Sequence, residues 1–129
     1  MSNSYPTARG LADKYVPGGQ LVDASAASIS YVPIPSQGVI VDAFATISAA
    51  ITGANCIVTV KVIKDGATST VGTITLTQSG SAIGDTFSMV ISGTEAVRSV
   101  KRGDTLVFDS DGESSTTSIA NFLAVLRET

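Results

Sequence analysis

The chain has 129 residues with no histidine, no tryptophan and one cysteine; 43% are hydrophobic, 15% are charged, and the net charge is −3. That length predicts one domain, able to bury a core without disulfide or metal staples. Without histidine there is no Ser-His-Asp or Cys-His nucleophilic centre and no Cys/His zinc site, and the scattered Lys and Arg argue against nucleic acid as a partner.

Residues 1–19 read as an extended N-terminal arm. Pro6, Gly10, Pro17, Gly18 and Gly19 break regular structure, while Tyr5, Leu11, Tyr15 and Val16 are spaced apolar anchors. Such an arm can grip a neighbouring subunit, which makes these four residues candidate partner-binding positions. A frayed terminus is the competing reading. The polar start, Met1-Ser2-Asn3-Ser4, does not read as a secretory signal, and no apolar run approaches the roughly 18 residues that would suggest a membrane span.

Residues 20–129 read as one β-domain. Gln20–Asp23 is a weak edge strand, and Ser28–Ile34, with Pro33 and Pro35, belongs at an edge or a bend. Gly38–Ile51 is a long strand expected to bend or bulge near Ser48–Ala50; its alanines alternate in a way that suits a strand better than a helix. Cys56 stands at the entry to Ile57–Ile63 and reads as a buried, inert thiol, consistent with a reducing cytoplasm. In that strand Val58, Val60 and Val62 share a face against Thr59 and Lys61.

Asp65-Gly66 is a hairpin turn, and Val71–Thr77 returns with Val71 placed on the face of Thr73 and Thr75. The loop from Gln78 to Asp85 carries Ile83, either an exposed contact residue or one folded back on the core. Thr86–Ser92 follows with Phe87, Met89 and Ile91 on one face, and Thr105–Ser110 points Leu106 and Phe108 inward. The last strand, Thr117–Arg127, is apolar on both faces, with Phe122, Ala124 and Leu126 opposed to Ile119, Leu123 and Val125. Cover on both sides is expected there, by core on one face and a partner chain on the other.

About eight antiparallel strands at this spacing predict an all-β, two-sheet sandwich of jelly-roll type, with an immunoglobulin-like sandwich as runner-up. Low charge and a mean hydropathy of +0.34 add the expectation of a homo-oligomer or larger assembly.

Three local patterns invite chemistry. Asp109, Asp111 and Glu113 alternate as oxygen ligands for calcium do, but the run is only part of a calcium loop and a solvated turn is expected. Arg102-Gly103-Asp104 is the tripeptide that integrins read; before a strand it is an ordinary β-turn. Gly80-Ser81-Ala82-Ile83-Gly84 matches no phosphate-binding loop. No catalytic, metal-binding or cofactor-binding residue is expected, and the protein is not expected to be an enzyme.

Several segments together carry a resemblance: Ser28–Ile40 with its proline step, Ile57–Val62, Gly72–Leu76, Gly80–Asp85, Val100–Leu106, Asp109–Gly112 and the long final strand. Over residues 20–127 this pattern resembles the small jelly-roll decoration (cement) proteins of tailed bacteriophage heads. The resemblance implies a non-enzymatic homo-oligomer, dimer or trimer, made in the host cytoplasm and bound to the major capsid protein on the capsid exterior. The alternative is a carbohydrate- or receptor-binding sandwich such as a phage fibre head, which the shortage of aromatic platforms disfavours.

Overall fold

The computed structural model describes residues 13–21, 23–112, 114–115 and 117–129. Among them the elements run β1 (Asp13–Leu21), β2 (Ser28–Pro33), β3 (Gly38–Ile47), β4 (Cys56–Lys64), β5 (Ala67–Leu76), β6 (Thr86–Ser88), β7 (Val90–Ile91), α1 (Glu95–Arg98), β8 (Ser99–Val100), β9 (Thr105–Ser110) and β10 (Ala120–Glu128). Two antiparallel sheets result. The first has the order β1-β10-β3-β6, with β8 also on β3; the second has the order β2-β9-β4-β5-β7. Consecutive strands alternate between the sheets except at β4–β5, which makes a jelly-roll sandwich.

Period-two patterning explains the layering. In β4 the valines Val58, Val60 and Val62 are buried, while Ile57 and Lys61 face outward. The β4–β5 hairpin closes on Asp65 (φ 51°) and Gly66 (φ 81°), both left-handed as a type I′ turn requires. Across the core, Phe108 of β9 stacks on Phe122 of β10 with ring centroids 4.5 Å apart, joining the two sheets. Gly18 of β1 lies against this pair: a Cβ there would sit 2.7 Å from Phe122 Cβ, so only glycine fits. Beneath β3 the core is lined by Ala43 and Ala45, small residues that let the layers approach.

The structure differs from the sequence expectations at several places, and the last strand begins at Ala120 rather than Thr117. The first strand begins at Asp13 rather than Gln20, so residues 13–19 of the expected arm belong to the sheet, paired with β10. Pro17 is tolerated because β1 is an edge strand. Tyr5 and Leu11 lie outside the described residues. In β3 the bulge falls at Val41, where Ile40 pairs with Leu126 and Asp42 with Val125, and the strand ends at Ile47.

A second bulge leaves Val71 between Gly72, paired with Val60, and Thr70, paired with Lys61. Val71 is therefore buried, not placed outward with Thr73. The expected strand Thr86–Ser92 divides: β6 pairs with β3 in the first sheet and β7 with β5 in the second. Met89 is buried at the crossing, and Ile91 emerges 43% exposed. A further difference is α1, capped by Thr94 Oγ1 accepting from Val97 N at 3.4 Å.

Candidate interaction surfaces

The outer face of the first sheet reads as four cross-strand rows. Gln20, Asn121, Thr46 and Thr86 form a polar row, tied by the Gln20–Asn121 bond (3.2 Å) and the Thr46–Thr86 hydroxyl pair (2.8 Å). Next come Pro17, Leu123 and Phe44, then Tyr15, Val125 and Asp42, then Asp13, Arg127 and Val39. The middle of this face is thus an apolar band, where a solvated antiparallel sheet would be polar. Tyr15 is 68% exposed, yet Val125 beside it is buried, so part of the cover expected over β10 comes from its own chain.

Arg127 donates to both carboxylate oxygens of Asp13, from Nε at 2.9 Å and Nη2 at 3.4 Å. That carboxylate holds the guanidinium above its ordinary pKa. Lys14 pairs with Glu128 at 3.1 Å.

Three depressions mark this side of the molecule. The first includes Tyr15, Phe44, Val125 and Asp42; the second shares Val41 and Arg127 with it; the third shares Val39 and Glu95 with the second. Through these shared residues they form one shallow trough running along β3 toward α1. Its far end is tied by side-chain bonds to the backbone. Arg98 reaches back from α1 to the carbonyls of Gly93 (3.2 Å) and Ile40 (2.9 Å), and Lys64 donates to those of Ala96, Val97 and Ser99 at 2.8–3.1 Å.

The outer face of the second sheet is different in kind. Ile29 and Tyr31 stand exposed on edge strand β2, beside Asp109 and Val107 of β9. Thr59, Thr73 and Thr75 occupy the middle of the sheet, and Lys61 bonds Asp109 at 2.9 Å across it.

The residues singled out in the sequence fall as follows. Tyr15 is presented to solvent. Val16, its neighbour, is 4% exposed and packs in the core, which corrects its assignment as a partner anchor: strand alternation turns it inward. Ile83 stands out from its loop at 77% exposure. The loop is braced by Ser81 Oγ, which accepts from Ile51 N, and by Asp85 Oδ2, which accepts from Ala82 N.

Asp109 is engaged by Lys61, and Asp111 Oδ1 accepts from Ile57 N at 3.1 Å; Glu113 lies outside the described residues. Among the described residues no group of three or more metal-binding side chains occurs. Asp104 is 6% exposed and accepts from Lys101 N at 3.0 Å, so the Arg-Gly-Asp tripeptide turns its carboxylate into its own β-turn. Cys56 is buried against Ser110 Oγ at 3.2 Å, and burial pushes its thiol pKa up. No helix among the described residues is long and apolar enough to cross a membrane.

No protein-family model and no curated protein sequence matches this chain. Solved structures do match in fold. Murine APRIL aligns over 88% of this chain and 99% of its own, with a TM-score of 0.53 and 10% identity. A chain of the cyanophage Pam1 capsid asymmetric unit aligns over 93% and 87%, at 0.50 and 10%. A family 6 carbohydrate-binding module from Clostridium stercorarium, solved with cellobiose, aligns over 93% and 83%, at 0.48 and 12%. The first two likenesses agree with the sandwich architecture and show nothing narrower.

Sequence reasoning missed Phe44, Asp42, Glu95 and Tyr31 as surface-forming residues. Tyr31 was legible, since it alternates with Val32, which packs against the core. Glu95 was legible as the first-turn acid after a Thr94 cap.

Proposed function

We propose that the protein is a structural, non-enzymatic virion protein that binds the outside of an assembled phage capsid and stabilises it. The carrying observation is the apolar band on the outer face of the first sheet, with Tyr15 exposed at its edge. A surface of that kind suits contact with another protein. The resemblance of residues 20–127 to phage decoration proteins gives the partner, the major capsid protein, and a sandwich fold shared with a phage-capsid chain agrees with it. A ligand that binds the assembled shell but not its loose subunits shifts assembly by mass action, and many copies on one lattice act with avidity.

The test is to image and heat phage heads with and without the protein. Added density on the exterior and a higher rupture temperature are expected. Heads that bind no protein at saturating concentration overturn the reading. A second reading, a carbohydrate-binding module, is favoured by one observation: Tyr15 stands beside Asp13, Asp42 and Arg127 in a single depression. Binding on a glycan array that is lost in Tyr15→Ala would establish that reading instead.

A further inference from the structure

We propose that the trough on the first sheet docks an extended segment of a partner polypeptide in which apolar and basic residues alternate. The inference rests on the reading as a protein-binding module, and it adds the face that is used and the chemistry of what it takes.

Shape comes first. The trough follows β3 from Phe44 to Val39. At a strand's rise of about 3.3 Å per residue this is about 17 Å, the span of about five extended residues. Its floor is aliphatic and aromatic: Val39, Val41, Phe44 and Val125, with Tyr15 at one rim. The bulge at Val41 makes this possible, because it adds an unpaired residue to β3 and Val41 lines both adjoining depressions. Alternate side chains of an extended segment fall on one side, so every second residue of a docked chain meets this floor.

Charge comes second. Carboxylates outnumber cations along the trough. Asp42 in the first depression and Glu95 in the other two have no ion pair among the described residues. Arg127 is paired with Asp13, whereas Arg98 and Lys64, bonded to neutral carbonyls, and Lys101 keep their charges near Glu95. Six carboxylates against four cations leave the trough two negative charges in balance, most plainly at Asp42, which complements basic side chains that alternate with those on the floor. A sugar fits less well, because among the described residues that line the trough only Tyr15 presents a largely exposed ring.

The test uses the full chain, labelled for NMR, and a capped hexapeptide alternating leucine and lysine, with a leucine–glutamate peptide as its counterpart. The lysine peptide is expected to shift the amides around Val41, Phe44 and Val125. Glu95→Lys and Tyr15→Ala are each expected to weaken it at least about fivefold, while Tyr31→Ala on the opposite sheet leaves it unchanged. No shift at millimolar peptide, shifts confined to the second sheet, or equal binding of the glutamate peptide overturns the proposal.

Co-sedimentation with phage heads lacking the protein separates this claim from the broader one. If the wild type fails to sediment while the peptide maps to the trough, the virion reading falls alone. If it sediments and both trough variants sediment equally, the trough proposal falls alone. A concentration-dependent dimer abolished by Tyr15→Ala would assign the face to a second copy and overturn the proposed partner.

Discussion

The two outer faces begin from the same plan and diverge. On each, an exposed tyrosine on an edge strand stands opposite a buried valine of the neighbouring strand: Tyr15 opposite Val125 in the first sheet, Tyr31 opposite Val107 in the second. The third position in the row then separates them. In the second sheet it is Lys61, which crosses to Asp109 and neutralises the face; in the first it is Asp42, whose side chain, among the described residues, bonds its neighbour's amide, Ala43 N, and no cation. Period-two alternation fixes which residues are core, and it leaves the outward set free to differ. The inward half of each strand therefore reports fold, and the outward half reports what the molecule meets.

Four measurements test this parallel. Val125→Asp and Val107→Asp should be the most damaging, each placing a carboxylate where the native side chain is no more than 7% exposed. A loss on the order of 3 kcal/mol is expected from both in urea melts. Unequal losses would show that one valine is covered far less than its counterpart.

Gly18→Ala comes next. It crowds Phe108 and Phe122 at the contact between the sheets, so both faces should lose about 1–3 kcal/mol together in the same melts. Tyr15→Ala and Tyr31→Ala should each cost about 0.5–1 kcal/mol through the lost cross-strand pair, read as small, similar falls in melting temperature.

The smallest effect concerns Cys56. Its raised pKa keeps the neutral thiol, so the stabilisation from burying it is present below the ordinary thiol value and fades as pH rises through the folded one. At pH 8 iodoacetamide should label the protein only after unfolding, and mass spectrometry of the folded protein should find Cys56 unmodified.

Much of the fold was legible because its signals are local. Val58, Val60 and Val62 announce β4, Asp65-Gly66 announces the hairpin, and Pro33 announces an edge. What escaped depends on partners distant in sequence. Pro17, Gly18 and Gly19 read as strand breakers, yet Pro17 sits on an edge and Gly18 is required by two phenylalanines about ninety residues or more away. The bulges at Val41 and Val71 carry no residue signature, and each changes which way its neighbours face. Of the candidate surface, Tyr15 was visible as an unusual exposed anchor. The trough was not, since Asp42, Phe44 and Glu95 meet only through the register of β3 and the placement of α1.

The passage from β6 to β7 has a mechanical consequence. Met89 still donates its amide to Ala43 of one layer, and the next residue, Val90, is already paired with Thr73 of the other. The chain therefore changes layers within one residue at that corner, which leaves little slack. Sliding of one layer over the other loads covalent bonds there first, so the domain should yield under shear from its β1–β2 side, where the layers are joined by a longer connection, from Leu21 to Ser28, and by the bond from Ser30 Oγ to Gly18 O.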